Sequence, residues 1–480
     1  MTSIVAMEPT KMFVLDNGGH SIKVAISDGK KFDQPPTSIY LSQFGDTIQR
    51  GIISCNWEEM ERIWRHTFYE MMQIEPSEYL TLITESVFTP KLQRLNISEI
   101  MLNKFNVRGC HFILDAYLAL INYGGDGVVV DFGYDSTRVS VFCCHYHLPH
   151  ATRFLDVGGK HLTMMVHDAV NPESKTTGGG TNGLTNGSSN ATNGSSNATN
   201  ATNETDKRNE ILLDYEQIKE KHCYVASDYE AEIKVATTMD MAADSVNENG
   251  ISAAESIRIP EVLFNVQSSE FSESSKGGDM ELKDTMVRTT IQATIFDAVN
   301  AVDDSLIEDC VSNIILVGNG AKFRGIEVRL KNELQKLWRD KKEKSGSYSG
   351  EEISEMIKIH NNKELNLITV GGLGMLSECK NVSPFAFWGR QMIVKGQIEE
   401  HGPGVVFDIC NHHPNSSKKY ARCSPPKSDY ILSYGKAKYK KLKTLKKVKV
   451  QKIWINRLLP VFKPRKNVFI IFMCVYILYT

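Results

Sequence analysis

The ten cysteines include no Cys-x-x-Cys pair and show no regular spacing, which excludes a zinc ribbon and argues against a disulfide scaffold. No apolar run reaches the roughly 18 residues of a standard membrane-spanning helix. The first dozen residues, MTSIVAMEPTKM, lack the charged-then-apolar pattern of a secretory leader, so the expected compartment is the cytosol or nucleus. No Gly-x-x-x-x-Gly-Lys-Ser/Thr segment occurs, which removes the P-loop, and GNGAKFRG (Gly318–Gly325) is not a Gly-x-Gly-x-x-Gly fingerprint. Asp131-Phe132-Gly133 imitates a kinase triplet, but no His-Arg-Asp segment precedes it.

What is present is an ordinary globular composition: 480 residues, 41% hydrophobic and 23% charged, enough for two or three lobes with real cores. The formal net charge of −2 conceals an asymmetry. Residues 408–480 carry 17 Lys and Arg against two acids, leaving 38 basic and 55 acidic side chains in the body. The basic block Lys436–Val450 precedes an apolar end, Asn467–Thr480, whose length as a helix falls short of a hydrocarbon layer. That tail reads either as an arm for DNA or anionic membrane or as a poorly structured extension. Cys410, His412, His413 and Cys423 fit no standard metal spacing.

Residues 172–208 are low in complexity, with NGSSNAT at Asn186–Thr192 and again at Asn193–Thr199. Such a segment buries almost nothing and is expected to be a disordered insertion. Its Asn-x-Ser/Thr triplets read as by-products of the repeat rather than glycosylation sites. Two further loose regions are expected at 237–256 and 268–278.

Elsewhere strands and helices alternate, which gives an α/β fold class. Met12–Asp16 and the run around Val24–Ile26 read as strands joined by a glycine turn. Glu58–Met72 has helical periodicity, with Met60, Ile63, Trp64, Phe68 and Met71 on one face. Thr81–Glu85 reads as a strand and Ile97–Phe105 as a helix. Val128–Asp131 and Arg138–Phe142 then repeat the first strand–turn–strand plan, and Asn313–Gly318 is a further buried strand ending in glycine. His145, His147 and His150 read as an edge strand rather than as ligands.

The repetition carries the chemistry. Asp16-Asn-Gly and Asp131-Phe-Gly each end an apolar strand and open a tight hairpin. Two such hairpins could clasp a phosphate chain, because glycine lets backbone N–H groups approach oxygen closely. An aspartate at each strand end can hold a hydrated magnesium, and Lys23 can neutralise phosphate. Taken singly, an Asp-x-Gly after a strand is more often a plain turn.

Across most of residues 11–407 the chain resembles the actin and actin-related superfamily. The segments that carry the resemblance occur in one order: LDNGGHSIK (Leu15–Lys23), CNWEEMERIWRHTFYE (Cys55–Glu70), TESVFTPKLQR (Thr84–Arg94), VVVDFGYDSTRVSVF (Val128–Phe142), LPHATRFLDVGGKHLT (Leu148–Thr163), EQIKEKHCYVASDYE (Glu216–Glu230), NIILVGNGAKFRGI (Asn313–Ile326) and IEEHGPGVVF (Ile398–Phe407). The resemblance implies a duplicated ribonuclease-H-like fold with a nucleotide cleft between two halves, 11–126 (completed by 367–407) and 127–366. It implies that Asp16, Gly18, Lys23, Asp131 and Gly133 face phosphate, that Asp16 and Asp131 hold magnesium through water, and that Lys219, Glu220, Gly318 and Phe323 surround base and ribose of ATP or ADP.

The departures from the family pattern shape the functional expectation. Asp135 stands where a glycine faces phosphate, His20 replaces a glycine of the first loop, the water-positioning glutamine falls at Asp115, and the purine-side Gly-Gly becomes Gly318-Asn319. Only Ser38–Arg50 remains where the small lobe of the first half is expected. These changes imply degraded ATPase chemistry and no conventional actin filament. Within the superfamily LDVGGKHLT, PEVLFN and EEHGP look most like the actin-related protein 6 class, which implies a nuclear scaffold subunit in chromatin remodelling and histone variant exchange, touching histones indirectly. The alternative is a divergent cytoskeletal actin-like ATP-binding protein; the expected location is the nucleus, with the cytoplasm as a second site.

Overall fold

Two strand–turn–strand segments, each joined by further buried strands, build two sheets of one plan in the computed structural model. It describes residues 11–27, 37–40, 48–49, 52–53, 56–121, 123–143, 145–171, 213–242, 250–265, 289–341, 349–362, 393–402 and 406. Asn411–Thr480 separates from residues 1–410 as its own unit. With the 172–208 insertion and the 268–278 region, that tail lies outside the described residues, as does most of the stretch on which the reduced small lobe was expected.

The first sheet contains β1 (Lys11–Asn17), β2 (Ser21–Ser27), β3 (Thr37–Tyr40), β4 (Tyr79–Glu85) and β5 (Gly109–Leu114), in the order β3-β2-β1-β4-β5. β2 and β3 are antiparallel additions, whereas β1, β4 and β5 run parallel. Parallel strands are covered on both faces, which is why β4 (YLTLITE) is buried at all seven positions without apolar–polar alternation.

The second sheet contains β6 (Gly127–Phe132), β7 (Thr137–Cys143), β8 (Arg153–Leu155), β9 (Ile314–Val317) and β10 (Ile359–Asn361). Its run β7-β6-β9-β10 repeats β2-β1-β4-β5, with the same antiparallel hairpin followed by parallel neighbours. At the edge that β3 holds in the first sheet, Tyr146–His147 and β8 each pair with β7. This duplicated mixed sheet is the actin-like architecture that the sequence segments imply.

Helix α1 (Trp57–Arg65) starts at Asn56, whose side chain accepts from the Glu58 and Glu59 amides and so satisfies two donors of the first turn. α1 and α2 (Lys91–Glu99) cover one face of the first sheet, where Met60, Ile63, Trp64, Phe68 and Ile97 meet Phe13, Leu15, Ile22 and Val24. Met71, expected on that face, is instead 46% exposed. The helix widens into π turns over His66–Met71, and the extra residue per turn rotates Met71 outward.

The short helix α3 (Asp115–Ile121) is shared between the sheets. Leu118 packs with Val14, Leu80 and Leu82 of the first, while Ala116, Ala119 and Leu120 pack with Val129, Phe142 and Ile315 of the second. The far face of the second sheet is covered by α4 (Gly159–Val170), α8 (Ile291–Asn300), α9 (Ile307–Val311), α10 (Ile326–Asp340) and α11 (Gly350–Met356). Between α4 and α8 come a helix at residues 213–222 (α5), α6 (Tyr229–Ala242) and α7 (Ala253–Glu261). The expected loose region 237–256 is therefore partly helical. Asp240 explains the order: its carboxylate accepts the Ala253 and Ala254 amides at 2.9 Å each, tying α6 to the start of α7.

The chain returns to the first sheet before α12 (Lys395–His401), where Ile393 exchanges both backbone bonds with Cys110 and joins the core beneath α1. No helix among the described residues is long and apolar enough to cross a membrane.

Candidate functional site

The two hairpins place the same residue types at the same offsets. In the first, the β1–β2 register sets Asp16 opposite Lys23; in the second, β6–β7 sets Asp131 opposite Arg138. A Cβ on Gly18 would lie 2.7 Å from the Ser21 carbonyl oxygen, and one on Gly133 would lie 2.8 Å from that of Ser136. Real Cβ atoms do not approach so closely, so both turns need glycine at this point. Each hairpin thus reads Asp-x-Gly-x-x-Ser-x-cation, and Arg138 is the internal counterpart of Lys23. The sequence reading missed Arg138, although its seven-residue offset from Asp131 repeats that of Lys23 from Asp16.

The two counterparts make different bonds. Lys23 Nζ lies 3.9 Å from Asp16, whose other oxygen accepts from Thr84 Oγ1 at 2.7 Å. Arg138 is almost dehydrated and is bound closely to Asp131, donates to Asp115 Oδ2 at 2.9 Å, and donates to Ser86 Oγ. Burial pushes the Asp115 carboxyl up to about 6; Arg138 pulls it down, and nearby Asp131 and Asp16 push it up. Burial also opposes the Arg138 charge, yet Asp115 and Asp131 outweigh it and hold the guanidinium above its usual range.

A third cluster lies on α5. Lys219 Nζ donates to the Gly159 carbonyl at 3.1 Å and to Thr163 Oγ1 at 2.6 Å, and it stands 3.7 Å from Glu216. Burial lowers the Lys219 ammonium below its ordinary value, with Glu216 opposing. Glu216 in turn meets His20 Nε2 at 3.0 Å. Burial pushes the Glu216 carboxyl up, but His20 and Lys219 win and lower it.

The remaining expected residues scatter. Gly318, at φ +87°, abuts the second hairpin: a Cβ there would fall 2.3 Å from the Phe132 carbonyl oxygen and 3.1 Å from Asp131. Phe323 is packed into the core of the second sheet, and Glu220 lies exposed on α5.

The family model for actin matches residues 30–407, more than three quarters of the chain. The chain belongs to the actin family. One curated relative is actin-related protein 2 of Acanthamoeba castellanii, 26% identical over 364 residues that cover 75% of this chain and 80% of that protein.

Membership of the actin family raises the question whether these residues fit magnesium and nucleotide. Three observations say that they do not. First, the carboxylates that would face the metal already stand beside permanent cations, Asp131 bound to Arg138 and Asp16 with Lys23 at 3.9 Å. Second, the acidic Asp135 is wedged against the first hairpin, its Oδ2 lying 2.8 Å from where a Gly19 Cβ would stand. A carboxylate between the two phosphate hairpins repels phosphate. Third, the first amides of α4, which a helix start would offer to an anion, are taken: Gly159 N–H donates to the Gly133 carbonyl at 2.9 Å and Lys160 N–H to that of Tyr134 at 2.8 Å. Among the described residues no group of three or more His, Cys, Asp or Glu side chains is arranged to hold a metal ion.

Proposed function

We propose that this actin-related protein is a non-polymerising structural subunit of a multiprotein complex in the nucleus, acting in chromatin remodelling and histone variant exchange. The observation that carries the loss of ATPase chemistry is the Arg138 bridge. Asp115 stands where the resemblance puts the water-positioning glutamine, and its carboxylate is committed to the guanidinium that also covers Asp131. A group locked into a buried ion pair is poorly placed to orient an attacking water. Function then rests on surfaces presented by the two sheets and their helices, with the basic sequence of 408–480 as a proposed contact for DNA or an anionic membrane. A second reading, a divergent cytoskeletal actin-like protein, draws support from the likeness to an actin-related protein 2.

Two measurements on the full-length chain test the proposal. Phosphate release with Mg-ATP should stay at background; steady turnover abolished by Asp131→Ala refutes the structural-subunit reading. Gentle purification of the tagged protein from its own cells should recover a remodelling ATPase and histones. Recovery of motors or actin instead moves the function to the cytoskeleton.

A further inference from the structure

Where the resemblance places a nucleotide, this chain supplies both signs of charge itself. The cation is Arg138, reaching from β7 of the second sheet to Asp115 at the start of α3 and to Ser86 just after β4 of the first. The anion is Glu216 on α5, held between Lys219 on its own helix and His20 from the tip of the first hairpin. The His20 ring also lies 4.9 Å from the ring of Tyr134 in the second hairpin.

Both bridges join residues of the first-sheet half to residues of the second. The side chains of His20 and Glu216 keep only 16% and 12% of their exposure, and those of Arg138 and Asp115 keep 13% and 12%. Pairs this far from water are screened little by salt, and removing one partner strands the other charge in a poor solvent. Neither His20 nor Asp135 follows the family's glycine at its position, and each reaches the opposite hairpin, His20 at the Tyr134 ring and Asp135 Oδ2 at 2.8 Å from where a Gly19 Cβ would stand.

We infer that His20–Glu216 and Arg138–Asp115 are two intramolecular clasps that hold the halves together in place of a bound nucleotide, so that the closed form needs neither nucleotide nor divalent cation. The inference deepens the structural-subunit reading and rests on it. The two fail differently: magnesium-dependent phosphate release overturns that reading, whereas stabilisation by Mg-ATP without turnover overturns only the clasps.

The test uses the purified full-length chain. Acid denaturation should release far less than one nucleotide per protein, and Tm should be unmoved by Mg-ATP, Mg-ADP or EDTA. A ligand that binds only the folded state must raise Tm, so a clear rise with Mg-ATP, a fall with EDTA, or stoichiometric nucleotide in the preparation overturns the inference. Hydrogen exchange then reads the clasps directly. His20→Gly and Glu216→Ala should each speed exchange several-fold in β2 and in α4, and the double variant should exchange no faster than either single one. Additive acceleration, or none in any variant, overturns the His20–Glu216 clasp. Should the glycine variant fail to fold, His20→Gln, which keeps a donor of similar reach, should retain most of the protection, and unprotected β2 and α4 in that folded variant count against the clasp.

Discussion

Replacing Arg138 by methionine keeps apolar volume in the hairpin and deletes the cation between Asp115 and Asp131. With Arg138 in place, burial already pushes Asp115 up from 3.8 to about 6, against the guanidinium and the Ala116 N–H, which both lower it. Without it, burial and the neighbouring carboxylates outweigh the one bond left to oppose them, the Ala116 N–H at 2.6 Å, and the Asp115 carboxyl must take a proton to stay folded at pH 7. Keeping a carboxyl of ordinary value near 3.8 protonated at pH 7 costs about 4 kcal/mol, at about 1.4 kcal/mol for each pH unit. This agrees with the roughly 3–5 kcal/mol lost when one partner of a buried pair is removed. The sign with pH follows. The folded variant binds a proton that the unfolded chain has released, so its stability rises as pH falls; wild-type Asp115, already raised to about 6, gains part of the same stability below that pH, so the deficit shrinks to about 3 kcal/mol at pH 5. Urea unfolding followed by fluorescence of the buried Trp64 and Trp338 at pH 7 and pH 5 measures both quantities. Adding Asp115→Asn to Arg138→Met should recover part of the loss at pH 7 and little at pH 5. A deficit below about 1 kcal/mol, or one independent of pH, refutes the reasoning.

Burial, and next the charge of His150, push the His147 imidazole down from 6.5 to about 4, so the folded state resists a proton that the unfolded chain accepts. This contribution is fully present above about pH 6.5 and is lost as pH falls toward 4, and His147→Gln should flatten that acid limb by about 1–2 kcal/mol in urea midpoints, the ring being partly screened by solvent. Gly318→Ala should cost more than about 2 kcal/mol in the same assay, since the residue sits at φ +87° and its Cβ would strike the Phe132 carbonyl oxygen. Gly396→Ala, in α12 with nothing near its Cβ, should be neutral or stabilising, and equal effects at both sites would defeat the argument.

Much of the fold was legible because it depends on local pattern. The apolar runs at Met12–Asp16 and Val128–Asp131, each closed by Asp-x-Gly, mark the two hairpins, whose registers repeat in the structure. The helical face Met60, Ile63, Trp64 and Phe68 is buried as its spacing requires, and only the widened turn defeats the same spacing at Met71. The candidate site was legible in part. His20, Asp115 and Asp135 stood out as departures from the family pattern, but Arg138 and Glu216, which receive or oppose them, did not.

The sequence by itself determined the strands and the two glycine turns, which follow from periodicity and residue order along the chain, and the membership of the actin family, which rests on the likeness of whole segments. Tertiary structure alone decided what the charged side chains do. Asp115 and Arg138 are 23 positions apart and His20 and Glu216 are 196 apart, so no local spacing announces either pair. They meet because α3 is packed between the two sheets and α5 lies against the start of α4. A charge in water can choose among many partners, whereas burial leaves these with the few that the packing brings within reach.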